Sequence, residues 1–319
     1  MPANIDSMMY VGETPWHNLG IKLDNIATAE EAIKAAGLDW EVEKRPVYIQ
    51  DPSGEFKIVA GNHAVVRKDR GITLGVVGDR FEPLQNKDAF KFFDAVIGEK
   101  LAMYHTAGSL GKGERTWILA KLPNTMRIAK EDNVDKFLLL SNSHDGFSAV
   151  QMMFTPIRVV CQNTLNLAIN TAGESGKVYL RHTINLGLRI DEAREALGLM
   201  NRQFQIFEEL SKKLVKIQMN QKDFSNYLTK IGIISRDDDG KMSTRTKNNF
   251  DTLVGLYEHG KGNDMVSVKG TAWAGMNAVV EYVDYVRAGS EENRAKSVLY
   301  GSGAALKQKA WDEALVLVK

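Results

Sequence analysis

The chain holds 319 residues, 44% of them hydrophobic and 25% charged, with a formal net charge of +1. A chain of this length and apolar content can bury a sizeable core without disulfides or metals, and it allows two domains or one elaborated one. The near-zero charge excludes a global field that would select nucleic acid, membrane or acidic substrates, so any basic binding surface has to be local.

Cys161 is the only cysteine. An internal disulfide and a multi-cysteine zinc site are therefore excluded, and a reducing cytoplasm is the natural setting. The first residues, MPANIDSMMYVGETPW, lack a basic region followed by an apolar run, so no signal peptide is expected. No apolar run approaches the ~20 residues of a membrane span.

In chain order, residues 1–20 read as an ordered, turn-like arm carrying Trp16, His17 and Gly20. Thr28 and Glu31 fit a capping box that starts a short helix over 29–36, stopped by Gly37. Strands are predicted over 39–49, 56–67 and 71–77, separated by turn signals at 51–54 and 68–71. Phe90, Phe93, Val96 and Ile97 then recur at helical spacing, which predicts an amphipathic helix over 86–98 with its aromatic stripe in the core.

Segments 101–105 and 115–122 read as the arms of a hairpin joined by the glycine-rich stretch 106–113. That stretch fails the Walker A pattern: the positions needing the first glycine and the Ser or Thr hold Thr106 and Gly113. It reads either as a mobile hairpin tip or as a flexible finger that presents Lys112 and Arg115 to a polyanion. The sheet continues over 134–157 with a tight turn at Asp145-Gly146, and Pro156 is expected at a strand end or edge. A helix over 161–169 and a short strand over 178–184 follow.

From Asp191 the chain reads as helices. Leu197, Met200, Phe204, Phe207, Leu210, Leu214 and Ile217 form one apolar seam, and further helices are predicted over 222–231, 244–259, 272–288 and 304–318. The fold class expected is α+β: an antiparallel, hairpin-rich sheet with packed helices over 1–188, then a helical domain or cap over 189–319.

No catalytic motif is present: a GxSxG elbow, HExxH and a Rossmann GxGxxG are all absent from the sequence. The six histidines are scattered, without a paired metal-ligand spacing, and the run Asp237–Asp239 lacks the alternation and terminal Glu of a calcium loop. Gly301-Ser302-Gly303 followed by Lys307 lies between two helices and reads as a cap junction. No metal or cofactor is expected. An enzyme of unrecognised type would have to be built on His144, Asp145 and Cys161. Basic chemistry offers another reading. Arg67, Lys68, Arg70 and Arg80 cluster around the second and third predicted strands, and Trp117 follows Lys112 and Arg115. Arg158, Gln162 and Asn163 open a predicted helix, where free N–H groups favour an anion. Cations interleaved with aromatics suit single-stranded nucleic acid, whereas the same charges on a solvated sheet face need no ligand.

The stretch FTPIRVVCQNTL (154–165) resembles a family of phage- and plasmid-encoded proteins grouped only as a domain of unknown function. Residues 15–20, 74–78, 141–147 and 270–278 carry the same resemblance, with Phe81, Pro83, Leu84, Gln85 and Asn86. It implies a mobile-element context in the host cytoplasm, among replication and recombination functions, and brings no catalytic residues with it. The function expected is binding of DNA, single strands favoured, in the form of a homo-oligomeric annealing factor without a membrane partner. The alternatives are a protein-interaction module, such as an inhibitor of host defence, and the unrecognised enzyme.

Overall fold

The computed structural model describes residues 4–12, 19–25, 27–97, 103–158, 177–182, 190–287, 297–298 and 301–318. It has the expected α+β class with a helical C-terminal region. Two compact units interleave along the chain. The first gathers Met1–Leu122, Leu138–Met153 and Lys177–Leu199; the second gathers Pro123–Phe137, Phe154–Gly176 and Met200–Lys319.

The larger sheet contains β1 (Ile5–Val11), β2 (Ile21–Leu23), β6 (Met103–Leu110), β7 (Arg115–Lys121), β8 (Met126–Arg127), β9 (Asn133–Ser143), β10 (Val150–Arg158) and β11 (Lys177–Leu180). Its order is β11-β10-β9-β7-β6-β1-β2, with β8 on β9. Strand β1 pairs antiparallel with β6, from Ile5 opposite Leu110 to Tyr10 opposite Thr106, and parallel with β2. The expected turn-like arm is therefore in part a sheet strand, with Met8 and Met9 buried. Among the described residues β11 pairs antiparallel with β10 from Val150 opposite Leu180 to Met153 opposite Lys177, and Pro156 lies in β10, two residues before its last, Arg158.

A second sheet of order β3-β4-β5 is formed by β3 (Val42–Gln50), β4 (Phe56–Arg67) and β5 (Ile72–Gly78). Helix α1 (Ala29–Ala35) starts at the expected capping box: Thr28 accepts from Glu31 N, and the Glu31 carboxylate accepts from Thr28 N. Helix α2 (Asn86–Ile97) buries Ala89, Phe90 and Phe93.

Strand β6 extends to Leu110, so the β6–β7 connection is a tight turn and not a long finger. That turn is pinned. Gly111 N donates to Asn4 O at 2.8 Å, and Gly113, at φ +116°, sits where an added Cβ would lie 3.0 Å from the Trp40 ring. The glycines serve close approach and a left-handed backbone here, which the expectation of a mobile tip did not allow for.

The second unit is built on α3 (Ile190–Lys216) from Met200 onward, α4 (Gln221–Lys230), α5 (Thr244–His259), α6 (Ala272–Glu281) and α7 (Ser302–Val316). Phe204, Phe207 and Leu214 of α3 are buried at helical spacing. Phe207 stacks on Trp311 at 5.1 Å and meets Trp273 and Phe154 edge-on. Trp273 Nε1 donates to Asp132 Oδ2 at 2.7 Å, which satisfies its buried polar atom. Directly after α6 the chain makes a π-helical turn, Tyr282–Val286, closed by Arg287 N donating to Tyr282 O. Among the described residues, no helix is long and apolar enough to cross a membrane.

Candidate functional site

Most of the basic side chains singled out in the sequence are engaged within the protein. Arg67 is 2% exposed. Its guanidinium donates to Asp6 at 2.6 Å, to Asp69 at 2.8 Å and to the Lys112 carbonyl at 2.8 Å, and it lies 4.2 Å from the centroid of the Trp40 ring. It thus ties the end of β4 to β1 and to the β6–β7 turn. Burial raises the Asp6 carboxyl, but hydrogen bonds from Arg70 and Arg67 outweigh that and hold it below its ordinary value. Arg70 donates to Asp6 at 2.8 Å, and Lys68 to Glu41 at 2.7 Å. Arg115 reaches Ser148, and Trp117 is buried with its Nε1 donating to Thr106. Lys112 and Arg80 have exposed side chains. Arg158 closes β10 but its side chain, like Gln162, Asn163 and Cys161, lies outside the described residues.

His144 and Asp145 do not form a dyad. Asp145 Oδ1 accepts from Phe147 N and from the Ser143 hydroxyl. The His144 side chain is fully buried beside Trp40, at 5.3 Å between ring centroids, and its Nε2 lies 3.0 Å from Asn86 Oδ1. Asn86 donates its amide to the carbonyls of Leu38 and Trp40, which turns its oxygen toward His144. That assignment puts the proton on Nε2 and leaves Nδ1 a buried acceptor with no hydrogen-bond partner among the described residues. Burial, then the nearby His182 and Arg67, push the imidazole pKa down to about 3, so the ring is neutral. His182 stacks on Phe81 at 4.5 Å and is lowered by burial as well. A neutral, enclosed imidazole with asparagine neighbours organises a core, and among the described residues no acid or nucleophile is hydrogen-bonded to it.

A concave feature lined by basic side chains lies in the helical unit, at Arg245, Arg287 and Lys309, which the sequence reading did not single out. A cleft of about 450 Å³ is lined by Gly232 and Ile233 after α4, Arg245 and Asn249 of α5, Tyr282 and Arg287 of the π turn, and Ser302, Ala305, Leu306 and Lys309 of α7. Each wall follows from local structure. Gly232, at φ +78°, ends α4 in a Schellman motif: its N–H donates to Thr229 O and that of Ile233 to Leu228 O. Ser243 caps α5 by accepting from Thr246 N, and Arg245 and Asn249 share a face one turn apart. Ser302, Ala305 and Lys309 likewise follow one stripe of α7.

The π turn matters most. In an α-helix, residues five apart diverge by about 140° around the axis. The wider π turn reduces that angle and brings Tyr282 and Arg287 to the same cleft. Burial holds the Tyr282 hydroxyl above its ordinary value, with Arg287 and Arg245 opposing the shift. Three cations line this cleft and no carboxylate does, among the described residues. Gly301, the N-cap of α7, makes no side-chain capping bond, and Ser302 is the first residue of the helix. Lys307 does not reach this cleft; it is buried and paired with Asp284. The cap-junction reading of residues 301–303 is therefore compatible with a role for the adjoining helix face. Cations separated by 42 residues and then 22 carry no sequence signal, because only the packing of α5, the π turn and α7 gathers them.

No curated protein and no solved structure matches the chain. A family profile does match, over residues 73–311, and it spans β5 through most of α7. The chain belongs to the DUF932 family, a domain of unknown function.

Proposed function

We propose that this chain binds nucleic acid, single-stranded DNA in the first instance, by taking a phosphate group into the cleft lined by Arg245, Arg287 and Lys309. The carrying observation is the gathering of three cations in one cavity with no lining carboxylate among the described residues. A phosphate accepts charge-assisted hydrogen bonds from ammonium and planar guanidinium groups such as these. The cavity volume lies within the roughly 300–1,000 Å³ typical of small-ligand sites. This places the binding surface on the helical unit, because the Arg67, Lys68 and Arg70 charges are met by Asp6, Asp69 and Glu41.

The test is a fluorescence anisotropy titration with a labelled single strand at low salt, repeated as salt is raised. Binding that weakens as counterions compete is expected. No binding at low salt contradicts the proposal.

A second reading rests on the β3–β4 hairpin. Tyr48 pairs with Ile58 and Gln50 with Phe56, so Tyr48, Phe56 and Ile58 share one face, and they are 53%, 73% and 62% exposed. An exposed apolar face of this kind suits a protein partner. It predicts capture of one defined protein, lost in Phe56→Ser, together with no affinity for DNA.

A further inference from the structure

We infer that the face of the β3–β4 hairpin carrying Tyr48, Phe56 and Ile58 docks against the same face of a second copy of this chain. This rests on the protein-partner reading of that hairpin and names the partner.

The first argument is continuity with the core. Alternate residues of a strand point to one face, so Val42, Pro46, Tyr48 and Gln50 of β3 share a face with their β4 partners Arg67, His63, Ile58 and Phe56. At the base this face belongs to the core: Val42 is buried, as is Val77 of β5, which pairs with His63. Strand β5 pairs with β4 only from Asn62 to Arg67. Beyond it the hairpin runs on as two strands, and the face stays apolar but is exposed at Tyr48, Phe56 and Ile58. A two-stranded ribbon is marginal by itself in water, and a second apolar layer packed on it supplies the cover that the core supplies at the base.

The second argument is charge. From Glu43 to Ile58 the chain has three acidic and three basic residues. The cations are met locally: Arg45 by Glu43, Lys57 by Asp51, and Lys44 by Glu82. The hairpin therefore sets up no net field to attract a phosphate backbone or an oppositely charged protein, and an identical hairpin meets it without like-charge opposition. An apolar face that matches itself is what a two-fold contact requires.

The third argument is area. At 53%, 73% and 62% exposure, Tyr48, Phe56 and Ile58 leave on the order of 400 Å² open. With the exposed Pro46 and Gln50 beside them, two copies together cover about 1,000 Å². That meets the threshold for a specific interface but falls below the roughly 1,200 Å² at which standard ones begin, so the dimer is dissociable.

The experiment is sedimentation equilibrium of the full-length chain from about 1 to 100 μM. The mass should rise from one copy to two, with a Kd on the order of 10 μM. Phe56→Ser/Ile58→Ser should raise that Kd at least about tenfold, with an unchanged circular dichroism spectrum as the folding control. Ile49→Ser, which alters an exposed side chain on the opposite face, should leave the Kd unchanged. Dimers that persist in the double variant, or that are lost only in Ile49→Ser, overturn the assignment to this face. A single copy throughout the range overturns the inference. If that monomer still holds a different protein in a manner that requires Phe56, the protein-partner reading stands; if it holds none, both fail.

Discussion

Lys307 Nζ donates to Asp284 Oδ1 at 2.8 Å, with the two side chains 0% and 5% exposed. The pair joins α7 to the π turn, the two elements that carry Lys309 and Arg287, and so fixes the spacing of two cleft walls. An ion pair removed from water recovers its desolvation cost only through close geometry, and the loss of one partner leaves a buried charge.

Lys307→Met should therefore destabilise the protein by about 3–5 kcal/mol, read from urea denaturation. Lys307→Met/Asp284→Leu, which removes both charges, should recover much of that loss. A single-variant cost below about 1 kcal/mol would show that the pair is not the strut proposed here.

Arg67 and Lys68 are adjacent but should differ in effect. Arg67 is buried and bridges Asp6 and Asp69, so Arg67→Met should cost about 3–5 kcal/mol. Lys68 pairs with Glu41 at the surface, both about half exposed or more, so Lys68→Ala should cost at most about 1 kcal/mol. Under conditions where each variant is folded, neither should lower affinity for DNA. Reduced binding by Lys68→Ala would return the sheet face to the binding surface.

The pH dependence follows from His144. Its folded pKa of about 3 lies below the ordinary 6.5, so the unfolded chain takes up a proton first as pH falls. Its contribution to stability is complete above about pH 6.5 and declines toward pH 3, by up to about 1.4 kcal/mol per pH unit. His182 is shifted in the same direction and adds to the slope. His144→Gln should flatten the dependence of the urea midpoint on pH between neutrality and mild acid. An unaltered slope would mean that the ring takes up its proton at the same pH in the folded protein as in the unfolded chain.

Gly113 tests the pinned turn. Alanine there would strain the φ +116° backbone and press on the Trp40 ring at 3.0 Å and the Arg67 guanidinium at 3.2 Å. A loss of about 1–3 kcal/mol in thermal or urea unfolding is expected. A neutral result would show that the turn moves freely, as a mobile finger would.

Local signals in the sequence held where one segment decides its own structure. The Thr28–Glu31 capping box, α5 and the start of α6 lie where periodicity and capping put them. Strand β1 escaped notice because its partner β6 is about a hundred residues away and only that pairing defines it. The hairpin tip looked mobile because glycine marks both flexibility and close approach; Trp40 and Arg67, far away in the chain, decide between them. The predicted helix at 272–288 gave no hint of its π turn, and so none of the meeting of Tyr282 with Arg287. The cationic cluster at Arg67–Arg70 was legible as charge, but its acidic partners Asp6 and Asp69 show their role only in the fold.

The most direct measurement is the affinity of Arg245→Glu/Lys309→Glu for a labelled single strand, set against the unaltered chain across a salt series. The account predicts a loss of at least about tenfold at low salt and a shallower slope of log K against log salt, since the altered cleft releases fewer counterions. Equal affinity and equal slope for the two proteins would contradict it.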